Sequence, residues 1–386
     1  MHSTPLPSLI DMLRELVALP SVSSADQRFD QGNRAIVERL AEWLTELGFS
    51  VELRPLAGHP DKLNLIASLG QGTNGLVLAG HTDTVPYDEA LWASDPFTLS
   101  ERDGRLYGLG VADMKCFFPI VLDTLRDLDA SKLRRPLLVL ATADEESSMA
   151  GARQIASSGR GMGRYVLIGE PTGLTPVRMH KGVMMLSIRL RGRAGHASDP
   201  RLGNNAIDGM HAVLGTLIEW RKELQAQYRD PLFTVPEPTV NLGSLHGGDS
   251  PNRICAECEV QIDVRLLPGM DAGHLAAQVR RRVAQVLVGS GLLYEVQPLF
   301  AGVPPLDTPA RSAIVQVAER LTGVPSGSTS FATEGPFYNA AGMETVVLGA
   351  GDIAQAHQPN EYVARERLAP MQAIVTGMVQ HFCVEG

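Results

Sequence analysis

The chain has 386 residues, of which 44% are hydrophobic and 20% charged, and a formal net charge of −9. That length exceeds what one core comfortably serves, so two domains are expected. The acidic balance, with no basic stretch to offset it, argues against a nucleic-acid partner, and no apolar run approaches membrane-spanning length.

In chain order, "MHSTPLPSLIDMLRELVALP" carries Leu9, Ile10, Leu13, Leu16 and Val17 at helical spacing, which predicts an amphipathic helix rather than a signal peptide. "RAIVERLAEWLTELG" predicts a second helix, with Gly48 closing it. "LNLIASL" and "GLVLAG" are short apolar strands. "DMKCFFPIVLDTLRDLD" is a helix containing Pro119. "PLLVLATA" is a strand, "SMAGARQIASS" a helix and "RYVLIG" a strand. Apolar strands separated by amphipathic helices imply a mostly parallel sheet covered on both faces.

After Gly182 the rhythm changes to strand, long helix, two strands, helix, strand, the βαββαβ order of a ferredoxin-like unit. The first pattern then returns, with a helix over "PARSAIVQVAERLTG", the strand "TVVLGA" and a C-terminal helix. The expected fold is therefore α/β: a mostly parallel three-layer domain over residues 1–182 and 301–386, interrupted by an inserted α+β domain over 183–300. Four cysteines in so long a chain suggest a reducing, cytoplasmic location rather than a disulfide scaffold. The pair in "CAEC" reads as structural. If "RICAECEVQIDVRLL" is one alternating strand, Cys255 and Cys258 face opposite ways and cannot share an ion.

Candidate functional residues collect where the strands of the first domain end. "LVLAG" runs into His81 and Asp83, and Asp113 follows "YGLGVA". "LLVLATA" runs into Asp144, Glu145 and Glu146, "YVLIG" into Glu170, and "TVVLGAG" leads to His357 and Glu361. Ligand sites of open α/β sheets lie beyond the carboxyl ends of strands. Imidazoles and carboxylates gathered there, amid sequence too apolar for unpaired charge, suit a pair of divalent cations. His81 and Asp83 are two residues apart and share one side of an extended backbone, so Asp83 is expected to fix the His81 tautomer. Glu145 and Glu146 are adjacent and diverge: one can bind metal while the other faces the attacking water. Asp144 is expected only to cap or orient their loop.

These residues, with "ATADEESSMAGAR", "GEPTGLTPVRMHKG", "GHASDPRLGNNAIDGMH", "TVNLGSLHGGDSPNRICAECEVQIDVRLLPGM" and "AQAHQPNEY", make the chain resemble the co-catalytic zinc metallopeptidase family. That family includes acetylornithine deacetylases, succinyl-diaminopimelate desuccinylases, aminoacylases and glutamate carboxypeptidases. The resemblance spans essentially the whole chain. It implies that His81 and Glu170 bind one metal, that Glu146 and His357 bind the other, and that Asp113 bridges them. It makes Glu145 the general base and then the general acid, and Asp83 the residue orienting His81. His196 would stabilise the oxyanion, from the same chain or from a partner subunit, while Asn252 and Arg253 would contact a substrate carboxylate. Glu334, in "FATEGPF", keeps an acid near the expected substrate pocket. Ala112, Cys116 and Val183 depart from the usual family residues without replacing a ligand. The implied activity is removal of the acetyl group from an N-acetyl amino acid by two zinc or cobalt ions in a cytoplasmic homodimer. N-acetylornithine comes first, with N-acetylcitrulline or a succinyl-diaminopimelate type of substrate as alternatives.

Overall fold

The computed structural model of the chain describes residues 6–158 and 163–385, so the first five residues of the predicted N-terminal segment lie outside the described residues. Two compact units emerge. The first comprises Met1–Arg178, Thr308–Gly327 and Thr333–Gly386, and the second Met179–Asp307 and Ser328–Ala332. Along the first unit run α1 (Leu9–Val17), α2 (Arg34–Glu46), β1 (Ser50–Leu56), β2 (His59–Leu69), β3 (Leu76–His81), β4 (Ser100–Arg102), β5 (Arg105–Tyr107), α3 (Phe117–Leu125), β6 (Leu137–Thr142), α4 (Ala150–Ser157) and β7 (Tyr165–Ile168). Strand β8 (Val177–His180) leads into the second unit, with β9 (Gly182–Arg191), α5 (Ala206–Gln227), β10 (Thr239–Gly247), β11 (Glu257–Leu266), α6 (Ala272–Val286), β12 (Leu293–Pro298) and β13 (Leu306–Asp307). The chain then forms α7 (Ala313–Thr322), β14 (Gly327–Thr329), α8 (Gly335–Ala340), β15 (Glu344–Val347), β16 (Tyr362–Ala364) and α9 (Leu368–Val379).

Local chemistry sets the helix ends. The Ser8 hydroxyl accepts the Asp11 N–H and caps α1, and the Asp271 carboxylate accepts the His274 N–H and caps α6. Gly48, at φ 85°, lets the chain leave α2 through the left-handed region. Helix α3 starts at Phe117, four residues later than the sequence reading placed it, because Asp113 and Met114 hold non-helical dihedrals. Pro119 is the third residue of α3, inside the first turn, where its missing N–H breaks no helical bond.

In the first unit, β6, β3, β7 and β15 are mutually parallel neighbours, with β2 and then β1 added antiparallel beyond β6. Both β3 and β6 are buried at every position. Their alternate residues Leu76, Leu78, Leu137, Val139 and Ala141 join one core with residues of α1, α2, α3, α7 and α9. The intervening Val77, Ala79, Leu138 and Leu140 are buried as well. Strand side chains alternate between faces, so both faces are covered, and the expected layered α/β architecture holds. A small antiparallel sheet, β16-β5-β4, was not visible in the sequence pattern.

The second unit is a four-stranded antiparallel sheet in the order β10-β11-β9-β12, with α5 and α6 packed on it around Trp220, Val260 and Val279. Strand β11 alternates as expected, with Cys258, Val260, Ile262 and Val264 buried. The reading of "CAEC" needs correction. Strand β11 begins only at Glu257, so Cys255 lies outside the ladder and turns into the same core as Cys258. The Cys255 thiol donates to the Glu257 carbonyl, and all four cysteines are free and buried. Among the described residues no helix is long and apolar enough to cross a membrane.

Candidate metal centre

Parallel pairing brings the carboxyl ends of four strands together in the first unit. His81 is the last residue of β3 and pairs in register with Thr142, the last of β6. Ile168, the last residue of β7, pairs with Val347, the last of β15. The chain continues from these ends to Asp83, to Asp144–Glu146, to Glu170 and to His357. Gly169 makes one exit possible: a Cβ there would lie 2.1 Å from the Phe117 ring, so only glycine lets Glu170 follow β7 at this depth.

Asp113 stands at the middle. Its Oδ1 is 3.1 Å from His81 Nε2, and its Oδ2 is 3.4 Å from His357 Nε2. Glu170 Oε1 lies 3.8 Å from His81 Nε2, and Glu146 lies 3.1 Å from His357 Nε2. Four tetrahedral ligands about 2.0–2.1 Å from one ion stand about 3.3 Å from each other, which matches this spacing. Two adjacent clusters suited to a cation result, His81–Glu145–Glu170 and His81–Asp113–Glu146, and His357 abuts the second through Glu146 and Asp113.

The imidazole of His81 is held as a ligand requires. Its Nδ1 lies 3.0 Å from the backbone carbonyl of Asp83, an atom that can only accept, so Nδ1 carries the proton and Nε2 faces the carboxylates. The Asp83 carboxylate, expected from the sequence in this role, is 3.8 Å away. It accepts the Glu146 N–H instead, at 3.0 Å, and so ties the end of β3 to the acidic loop. Its Oδ1 is buried without a hydrogen-bond partner.

Electrostatics show what the cluster lacks. Asp83, Asp113, Glu145, Glu146 and Glu170 form no ion pair with a lysine or arginine among the described residues; their cationic partners are His81 and His357 alone. Burial pulls His81 down, but the Asp113, Glu170 and Glu145 carboxylates outweigh it and hold the imidazole well above its usual value. Asp113 and Glu146 likewise push His357 up to about 10. Burial raises Glu145 and Glu170 well above the carboxylate range, and neighbouring acids add to the rise. Asp113 alone is held low, by the two imidazoles, against its burial. To stay ionised together, Glu145, Glu146 and Glu170 need positive charge beyond the two imidazoles that the described residues supply.

The loop carrying Glu145 and Glu146 is pinned through Asp144, at φ 65°. The Asp144 carboxylate accepts from Ser23 Oγ at 2.7 Å, from Lys62 Nζ at 2.5 Å and from Ser148 Oγ at 2.5 Å. Lys62 also binds Asp30 at 2.7 Å. These partners hold Asp144 down to about 2 although burial opposes them. Lys62, Ser23 and Asp30 were missed in the sequence, where nothing but a lysine inside an apolar strand hints at a buried partner. A cleft of about 180 Å³ opens beside His357, walled by Tyr87, Leu91, Trp92 and Leu109.

Glu334 is 1% exposed in the first unit. Burial pushes it up to about 7, Tyr338 Oη lies 3.3 Å from its Oε2, and its Oε1 has no partner. It is thus enclosed rather than open to solvent. His196, Asn252 and Arg253 are grouped in the second unit, where His196 and Arg253 form an isolated β-bridge and the Ala197 N–H donates to the Asn252 carbonyl. His196 Nδ1 is 2.7 Å from Ser198 Oγ, and Arg253 pairs with Asp249 at 2.8 Å.

Comparison with known proteins agrees with this chemistry. Residues 77–381 match the model of peptidase family M20/M25/M40. An acetylornithine deacetylase of Edwardsiella ictaluri is 46% identical over 381 residues, covering 99% of both chains. Among solved structures, an M20 family metallo-carboxypeptidase of Sulfolobus solfataricus aligns over 98% of this chain and 99% of its own, with TM-score 0.77 and 19% identity. A tripeptidase of Staphylococcus aureus aligns over 97% of each chain, with TM-score 0.75 and 21% identity. These distant likenesses bear on the fold alone.

Proposed function

The chain belongs to peptidase family M20/M25/M40, and from that premise we propose that it removes the acetyl group from N-acetyl amino acids, N-acetylornithine foremost. That it is a metal-dependent amidohydrolase rests on the family and on the two adjacent clusters. The single observation that carries the site is Asp113, whose two oxygens face His81 on one side and His357 on the other. In this reading His81 and Glu170 hold one cation, Glu146 and His357 the other, and Asp113 lies between them. Zinc suits the mixed imidazole and carboxylate donors, and cobalt substitutes for it.

The cations, when bound, supply a water whose pKa is lowered towards ~7 and polarise the acyl carbonyl. The residues do the rest. Glu145, a buried carboxyl raised by that burial, would take the proton of the attacking water and return it to the departing amine. Asp83 fixes His81 through its carbonyl and the Glu146 backbone through its carboxylate. Asp144 and Lys62 anchor the loop that carries the two glutamates. For His196, as donor to the developing oxyanion, and for Asn252 and Arg253, as contacts of the substrate carboxylate, the family resemblance is the support. Glu334 interacts electrostatically with Glu145, and its assignment to the substrate pocket rests on the family resemblance.

A cytoplasmic homodimer completes the reading. The buried free cysteines fit a reducing compartment. Strand β12, at one edge of the second unit's sheet, carries the exposed Leu293 and Tyr294, an edge that a second copy would cover. The acetylornithine deacetylase relative puts ornithine first among side chains. Deacylation kinetics on N-acetylornithine, N-acetylcitrulline and N-succinyl-diaminopimelate, with zinc and with cobalt, test it. The highest kcat/KM is expected on N-acetylornithine. A preference for N-acetylcitrulline would overturn the side-chain assignment, and no hydrolysis of any of the three would overturn the reaction.

A further inference from the structure

One buried acid beside the cation site has no part in the chemistry above. Glu361 follows His357 by four residues, is 2% exposed, and points its carboxylate at the loop that carries Asp113. Oε2 accepts the Gly110 N–H at 2.7 Å, while Oε1 accepts the Ala112 N–H at 2.7 Å and the Asp113 N–H at 3.0 Å. That loop needs such a partner. Gly110 sits at φ 73°, Asp113 is extended, and α3 begins only at Phe117, so no helical carbonyl is in place to take these donors.

The two segments meet a second time. Gly351, on the way from β15 to His357, packs so closely that a Cβ would lie 2.3 Å from the Ala112 carbonyl oxygen. The segment bearing His357 therefore rests on the segment bearing Asp113 at both feet, by a glycine contact before His357 and by a three-bonded carboxylate after it. His357 itself is half exposed, sits at φ 58° and lies outside any strand, so its place depends on the segment that carries it. His81 and Glu170, in contrast, extend directly from paired strands.

We propose that Glu361 is a positioning residue for the cation held by His357, Glu146 and Asp113: its carboxylate sets the separation of His357 and Asp113. The inference rests on the two-cation reading above. Loss of the carboxylate then weakens that cation selectively. The cation at His81 and Glu170 is kept, because strands β3 and β7 place its ligands. Losses of about 10- to 100-fold in affinity are typical when a group that orients a metal ligand is removed.

The test is cobalt titration of the full-length, metal-stripped protein by calorimetry and by visible absorption. The variants are Glu361→Gln, Glu361→Asp and Glu344→Gln. Glu344 is the control: its carboxylate accepts the Ala313 N–H at 2.8 Å and pairs with Arg164, but it sits at the opposite end of the parallel strands, at the start of β15. We expect Glu361→Gln to bind one cobalt as the wild type does and the second at least 10-fold more weakly, with an altered band for that second equivalent. Glu361→Asp is expected to recover part of the loss, and Glu344→Gln to bind both as the wild type does. Wild-type affinity at both sites in Glu361→Gln overturns the proposal, as does equal weakening in Glu344→Gln. If Glu361→Gln shows no cooperative melt, Glu361→Asp decides: an unchanged second site overturns the inference, and a weakened one supports it. A wild type that takes up fewer than two cobalt ions overturns the two-cation reading, and this inference with it.

Discussion

The two units treat negative charge in opposite ways. On the outward face of the second unit's sheet, acids meet bases across strands and along them. Glu259 pairs with Arg189 at 2.8 Å, Glu257 with Arg191 at 3.5 Å and Asp263 with Arg265 at 2.8 Å. At the strand ends of the first unit, the carboxyls of Asp83, Asp113, Glu145, Glu146 and Glu170 share two imidazoles and pair with no lysine or arginine among the described residues. Two like charges about 4 Å apart repel by about 4 kcal/mol at an effective dielectric near 20, more than an exposed ion pair returns. A protein does not keep such a cluster for stability. The second unit uses charge to shape a surface, and the first holds charge open for something that binds.

That contrast can be broken or sharpened by substitution. The largest effect is expected at Glu145. Glu145→Gln should keep both cations and lower kcat by about 10²–10⁴-fold, as removal of a general base does. Steady-state kinetics with metal analysis on the same sample check this, and near-normal turnover with full metal would remove Glu145 from its role. Next comes the one compensated acid of the cluster's loop. Lys62→Met leaves the part-buried Asp144 and Asp30 without their cation, and should cost about 3 kcal/mol of unfolding free energy in urea. A cost under about 0.5 kcal/mol would mean that Asp144 is held by its serine partners alone.

The smallest effect belongs to the second unit. Hydrogen bonds from Ser187, Arg189 and Gln261 hold Glu259 down to about 2. Because its folded pKa lies below the unfolded value of about 4.3, Glu259 contributes stability that is complete above that value. The contribution is lost as pH falls from about 4.3 to about 2. Solvent screening limits it to about 1 kcal/mol. Glu259→Gln should flatten the acid limb of the stability curve in that window by this amount. An unchanged acid limb would mean that the pairing on this face is ornamental to stability.

Much of the centre was legible in the sequence because its geometry is generic. A parallel strand delivers its next residues to one edge of the sheet, so a short apolar run ending in His81, Glu146 or Glu170 declares where those side chains go. The βαββαβ order of the second unit was legible for the same reason, since its hydrophobic periods of two and 3.6 are strong. What depends on dihedrals or on distant partners was not. The late start of α3 follows from the extended backbone at Asp113. The turn of Cys255 into the core follows from where β11 begins pairing. The Asp83 carbonyl, rather than its carboxylate, reaches His81 because of a backbone angle that no side-chain pattern encodes. Glu361 meets its N–H partners across some 250 residues of chain, and a lone acid in "QPNEY" carries no trace of that.

The central claim is that divalent cations supply the charge missing from the first unit. Titrating the metal-stripped wild-type protein with cobalt, while following heat and visible absorption, tests it most directly. Two equivalents per chain are predicted, with absorption in the visible from imidazole and carboxylate ligation. Saturation below two equivalents, or binding unaffected by replacing Asp113 with alanine, would contradict it.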